Sequence, residues 1–117
     1  MVDLDRFKDL NDRFGHEAGD RALRGYADLF GTCLRGGDVA ARWGGEEFLL
    51  VLDDVSDGRH VLDRLLDRAR ATAPVTFSAG LTVAGPAEDP LRLLERAGRL
   101  LYEAKRRGRD RVTDDIG

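Results

Sequence analysis

Two spacings of apolar residues alternate along this chain. Phe7, Leu10 and Phe14 recur at i, i+3 and i+7, which predicts a short amphipathic helix ended by Gly15. Leu23, Ala27, Phe30 and Leu34 keep the same rhythm in a second helix, with Asp20 expected as its cap and Gly36–Gly37 as its stop. Asp38–Trp43 and Phe48–Leu52 predict two strands joined by a hairpin at Gly44–Gly45. The unbroken apolar run of Phe48–Leu52 predicts a strand buried on both faces. A third helix, with Ser56 as expected cap, carries Val61, Leu62, Leu65, Leu66 and Ala69 and stops at Pro74. Val75–Val83 is rich in β-branched residues and predicts another strand. Asp89–Pro90 sets a cap and a first-turn proline before a last helix with Leu91, Leu94, Ala97, Leu101 and Ala104 on one stripe, closed by Gly108. Met1–Asp5 reads as the tail of a strand. The sum is an α+β fold: a mainly antiparallel sheet flanked by helices.

Length and composition narrow the picture. The chain has 117 residues, which fits a single domain over 1–117. No apolar run reaches the ~18 residues that a membrane-spanning helix needs, and no charged and then apolar leader opens the chain. The 19 basic and 22 acidic residues leave a net charge of −3, which argues against a protein that coats nucleic acid. Cys33 stands alone, so neither an internal disulfide nor a cysteine zinc cluster is available, and a reducing, cytoplasmic setting is expected. Cys33 beside Leu34 is expected to be buried and inert, and His16 and Trp43 to serve packing or turns.

Four clusters carry chemistry. Asp3-Leu4-Asp5-Arg6-Phe7-Lys8, with Asn11 and Asp12, places acids at a strand end. A carboxylate from Asp3 and the backbone carbonyl of Leu4 are the hard oxygen donors that Mg²⁺ takes. A solvated turn with Asp5 as helix cap is the plainer alternative. Arg42-Trp43-Gly44-Gly45-Glu46-Glu47-Phe48 sets two adjacent acids at a glycine tip, where backbone can approach a ligand and where paired carboxylates repel unless a cation lies between them. Tyr102 to Arg109 includes Lys105 and Arg109, four apart, a spacing that can hold a polyphosphate or simply complement the helix dipole. Arg35-Gly36-Gly37-Asp38 couples a planar donor fork with a carboxylate that accepts from guanine.

In this order and spacing the clusters resemble the GGDEF family of diguanylate cyclases, with the signature in the form Gly44-Gly45-Glu46-Glu47-Phe48. The match also runs through Asp3 to Lys8, Asn11-Asp12, Phe14-Gly15-His16, Gly19-Asp20, Asp38 to Phe48, Val75 to Gly80 and Tyr102 to Val112. The resemblance implies a palm-like fold shared with nucleotide cyclases and the joining of two GTP molecules into cyclic di-GMP with release of pyrophosphate. It implies that Asp3, the Leu4 carbonyl and Glu46 hold two Mg²⁺ or Mn²⁺ ions, and that Glu47 assists the metals or the deprotonation of the attacking 3′-hydroxyl. Asn11 and Asp20 would read guanine. Lys8, Lys105 and Arg109 would bind phosphates, together with the N–H groups of Phe7 and Lys8 at a helix start. Gly44 and Gly45 would admit the nucleotide, and Arg35 with Asp38 would form a product-inhibition site for cyclic di-GMP. One GTP per domain implies a homodimer, at least transient.

The family precedes the aspartate at position 3 with a helix and an apolar strand, whereas only Met1 and Val2 precede it here. The fold is therefore expected to be N-terminally truncated, through a misassigned start, excision from a longer sensor protein or a strand borrowed from a second copy. If complete as given, the chain is expected to have low stability and weak or no turnover. A catalytically weak or inactive module that binds GTP or cyclic di-GMP is the alternative to the enzyme.

Overall fold

The computed structural model describes residues 1–116. The chain runs β1 (Val2–Leu4), α1 (Phe7–Phe14), α2 (His16–Cys33), β2 (Val39–Gly44), β3 (Glu47–Val51), α3 (Gly58–Thr72), β4 (Phe77–Leu81), α4 (Pro90–Arg106) and β5 (Arg111–Asp114). The strands form one sheet in the order β2-β3-β1-β4-β5. Three pairings are antiparallel, β1 with β3, β1 with β4 and β2 with β3, while β4 and β5 run parallel. The shortest strand, β1, thus lies at the centre. The backbones of Met1 and Gly80 continue its pairing, with Gly80 N–H donating to Met1 O at 2.9 Å and the Met1 amine to Gly80 O at 2.8 Å.

Alternation along β1 builds two different layers. Val2 faces Phe48 across the register and Leu4 faces Phe77; all four are buried. They join Leu23, Tyr26 and Phe30 of α2 and Leu62, Leu65, Leu66 and Ala69 of α3 in the main core. Aromatic rings knit it: Phe30 and Phe48 meet edge to face at 5.1 Å, and Tyr26 meets Phe77 at 6.0 Å. The Tyr26 phenol reaches through this core to donate to Val75 O. Burial, with Asp5 and Asp110 nearby, pushes the phenol's pKa up.

Helix α4 covers the opposite face, burying Ala97, Leu100, Leu101 and Ala104. Gly80 allows its close approach. A Cβ there would lie 2.3 Å from Ala97 O and 2.4 Å from Leu101 N, both backbone atoms of α4. The Asp89 side chain caps α4 as the sequence predicts, accepting from Leu91 N–H at 3.0 Å with Pro90 in the first turn.

Several local expectations are corrected. Asp20 does not cap α2, which begins earlier, at His16, after Gly15 in a left-handed conformation. Ser56 bonds Asp54, and Asp57 occupies the cap position of α3. Asp5 is no helix cap: Arg6, with φ 53°, fills that position before α1. In β3 only Phe48 is buried; Leu49 and Leu50 are half-buried and Val51 is exposed, so the apolar run reflects one covered face and one shallow one. Val75–Val83 contributes only its central five residues to β4. Leu91 lies exposed, off the buried stripe of α4, as do Ala27 on α2 and both His16 and Trp43, while Cys33 is half-buried. Strand β5 was not expected. At four residues it is too short to show a period, and it is specified by the β4-α4-β5 crossover that lays it beside β4.

Gly80→Ala is expected to lower stability by about 1–3 kcal/mol, since only backbone can yield. Gly31→Ala, whose Cβ meets open space on α2, should raise stability by up to about 1 kcal/mol. Urea denaturation of the two variants checks the contrast, and shifts of the same sign would contradict the packing described.

Candidate functional site

The acids meet at the C-terminal end of β1. Asp3 is buried in the central strand, opposite Glu47 of β3 on one side and Ser78 of β4 on the other. Glu46 stands beside it at the hairpin tip, where its carbonyl accepts from Leu4 N–H at 3.1 Å. Both Glu46 and Glu47 are half-buried. From the opposite layer Lys105 of α4 reaches down, and its Nζ donates to Asp3 Oδ2 at 2.8 Å. Four segments distant in sequence thus converge, namely the end of β1, the β2–β3 tip, the start of β4 and the last turn of α4.

The hairpin tip is held by Arg42, whose Nε and Nη2 donate to Gly45 O at 3.0 and 2.7 Å. Neither Gly44 nor Gly45 has a positive φ, and a Cβ on either would meet open space. The fold itself therefore does not require glycine at the tip, and the bare backbone is open to an approaching ligand. Helix α1 leaves the same strand end with no side-chain cap, so the N–H groups of Phe7 and Lys8 begin a helix without an acceptor from a cap.

Asp5 underpins this arrangement. It is buried and accepts three hydrogen bonds, from Ser78 Oγ at 2.6 Å, Thr76 Oγ1 at 2.7 Å and Asp110 N–H at 3.0 Å. The last ties β1 to the α4–β5 turn, where Gly108, Arg109 and Asp110 all have positive φ. Such backbone persists for non-glycine residues only when its surroundings hold it. Arg109 N–H donates to Ala104 O at 3.0 Å, and Arg70 of α3 grips the Asp110 carboxylate and carbonyl at 2.8 and 3.0 Å.

The other expected residues are not in contact with Asp3 or Lys105. The Asn11 amide packs against Gly19, next to Asp20, so both expected base-reading residues share the α1–α2 corner. The Lys8 side chain is 88% exposed and pairs at 3.3 Å with Asp12 on its own helix; it is not gathered with Lys105. Arg35 and Asp38 lie apart, on the α2–β2 loop. There Asp38 accepts from Arg35 N–H at 3.0 Å and Asp53 N–H at 2.9 Å, and these bonds, the Asp53 one foremost, hold its pKa below the usual carboxylate range. The Arg35 guanidinium pairs with Asp57, with Asp54 at 3.7 Å.

Among the described residues no three His, Cys, Asp or Glu side chains converge into a metal cage. The oxygens of Asp3, Leu4, Glu46 and Glu47 still suit a hard divalent cation. Such an ion takes one or two carboxylates from a protein and completes its shell with water and phosphate.

Residues 1–111 match the family described as "Diguanylate cyclase, GGDEF domain". The chain belongs to the GGDEF family. The GGDEF chain is 42% identical over 123 residues to diguanylate cyclase DgcP of Pseudomonas aeruginosa, covering 96% of this chain and 18% of that protein. It is 36% identical over 126 residues to diguanylate cyclase A of Treponema denticola, covering 97% and 33%. The chain thus spans a third or less of these curated relatives. Its fold superimposes with a TM-score of 0.87 on the GGDEF domain of DgcB from Caulobacter crescentus, crystallised in complex with c-di-GMP, at 33% identity over 97% of this chain and 74% of that one.

Sequence reasoning on this GGDEF domain missed the roles of Asp5, Arg42 and Gly80. For Asp5 a signal existed: in the expected strand tail Met1–Asp5 it stands two residues beyond Asp3, the spacing of one strand face. Asp5→Ala is expected to cost about 2–4 kcal/mol, by leaving buried donors unpaired. Asp5→Asn should cost less, since its amide oxygen can still accept from Asp110 N–H. Urea denaturation checks both, and an alanine variant as stable as the parent would exclude this role.

Proposed function

We propose that this GGDEF domain is the catalytic unit of a diguanylate cyclase, condensing two GTP into cyclic di-GMP and two pyrophosphates. The observation that carries the reading is the buried Asp3, set between Glu47 and the Lys105 ammonium beside a glycine tip and an uncapped helix start. Opposite charges at that spacing, with open backbone N–H groups, suit a metal-bound triphosphate. The names of the relatives agree, as does the c-di-GMP complex of the Caulobacter domain.

In this reading Asp3, the Leu4 carbonyl and Glu46 would hold two Mg²⁺ or Mn²⁺ ions, which would supply neutralisation of the negative charge that develops in the displacement. Glu47, across from Asp3, holds or accepts the proton of the attacking 3′-hydroxyl. Asn11 and Asp20 read the guanine edge, whose N1–H and N2–H₂ donors suit the Asp20 carboxylate. The N–H groups of Phe7 and Lys8 meet the phosphates at the start of α1, joined by the side chains of Lys8, Lys105 and Arg109, and Gly44 and Gly45 let the nucleotide lie against the hairpin. Lys105 neutralises Asp3 in the free domain. Its flexible stem allows the ammonium to turn to the phosphates once Asp3 has another counter-charge.

Each 3′-hydroxyl attacks the α-phosphorus of the other GTP. A P–O bond forms as the bond to the bridging oxygen breaks, pyrophosphate leaves, and the hydroxyl proton passes toward Glu47. One GTP per domain makes the reaction a matter for two domains face to face, a homodimer for at least the length of the encounter. Arg35 and Asp38, remote from the acids, suit a site where the product restrains the enzyme. Among the described residues no helix is long and apolar enough to cross a membrane, and a cytoplasmic site of action, where GTP is available, goes with this proposal.

Incubation with GTP and Mg²⁺ should yield cyclic di-GMP, read by chromatography, and EDTA should abolish it. Glu46→Gln and Glu47→Gln should each reduce the rate by at least about a hundredfold; full activity in either would refute the assignment of the acids. A domain that binds labelled cyclic di-GMP yet forms none from GTP would favour the sensor alternative. Arg35→Ala should weaken cyclic di-GMP binding while leaving the initial rate of synthesis intact, and unchanged product affinity would dismiss the inhibitory site.

A further inference from the structure

Gly19 sits in the second turn of α2, buried, with no left-handed conformation to explain a glycine there. In a helix interior glycine is a poor choice beside alanine. Its neighbours supply a reason. A Cβ at this position would lie 1.9 Å from Asn11 Oδ1, 2.9 Å from Asn11 Cγ and 3.0 Å from Phe7 Cζ. All three of these nearest atoms belong to side chains of α1. An alanine would therefore leave α2 intact and push the Asn11 amide out of its seat.

The seat itself is unusual. Among the described residues Asn11 Oδ1 is the one buried side-chain nitrogen or oxygen without a hydrogen-bond partner. Burying an amide oxygen unpaired is costly. Here a helix-weakening glycine and an unpaired amide oxygen are found in direct contact, two local departures from stability at one point. Such departures gather where position, and not stability, is the requirement. The next residue, Asp20, is exposed on the same turn of α2.

We propose that Gly19 is a specificity-determining position, acting through Asn11. By lacking a Cβ it lets the Asn11 amide lie flat against α2, in register with the Asp20 carboxylate, so that the two present one fixed donor and acceptor pattern to a guanine base. This inference rests on the assignment of Asn11 and Asp20 to the base. It adds the residue that sets their geometry.

A double-mutant cycle tests it. The purified chain, Gly19→Ala, Asn11→Ala and the double variant are titrated by calorimetry with the α,β-methylene analogue of GTP in Mg²⁺. Gly19→Ala is expected to weaken binding about tenfold or more, the loss of one well-placed hydrogen bond to the base, while its unfolding midpoint does not fall. The preference over the adenine analogue should narrow by a similar factor. In the Asn11→Ala background the same substitution should change affinity less than twofold, because the amide it displaces is gone and the remaining neighbour, Phe7 Cζ at 3.0 Å, need give way by only tenths of an ångström. Without nucleotide, the side-chain ¹H–¹⁵N signals of Asn11 should shift in Gly19→Ala. Parent-like affinity in Gly19→Ala, an equal further loss on top of Asn11→Ala, or unmoved Asn11 signals would each overturn the proposal while leaving the cyclase reading in place. A parent chain that binds no nucleotide would overturn both.

Discussion

Two buried carboxylates, Asp3 on the central strand and Asp5 just past its end, set the terms for the rest of the domain. Asp3 and Asp5 alternate with Val2 and Leu4, so acids follow the core-facing residues along β1 and the turn that leaves it. Neither can remain charged away from water without partners. Asp5 finds two hydroxyls and a backbone N–H. Asp3 finds the ammonium of Lys105. These bonds draw β4, the last turn of α4 and the α4–β5 turn onto one strand end, and the groups proposed for catalysis are thereby assembled. The two acids differ in a way that matters. Asp5 is saturated by three donors and serves the fold, whereas Asp3 is balanced by the single ammonium of Lys105.

Gly80 serves the packing on the same face. Its missing side chain brings the backbone of α4 at Ala97 and Leu101 against β4, and one to two turns farther along the same helix Lys105 meets Asp3 at 2.8 Å.

The glycines of this domain perform different tasks, which composition alone cannot separate. Gly80 admits a helix, Gly19 admits a side chain, and Gly108 begins a turn of positive φ. Gly44 and Gly45 admit nothing that the protein itself supplies.

Much of this domain was legible in its sequence. Helical stripes, the Asp89–Pro90 start of α4 and the Gly44–Gly45 hairpin are local patterns, decided by spacing and by backbone chemistry within a few residues. The acids at positions 3, 46 and 47 and the cations at 105 and 109 could be nominated from the motifs that hold them. Three-dimensional packing decided what spacing leaves open. Strand β5 exists because a crossover places four residues beside β4. Asp5 became a buried hub instead of a helix cap because β1 is central and covered on both faces. Lys8 stayed on the surface with Asp12 while Lys105 went to Asp3. Sequence separations of tens of residues carry no signal of distance, so which acid meets which cation is settled only when the sheet order brings β1 between β3 and β4 and the close packing of α4 fixes the height of its charge above them.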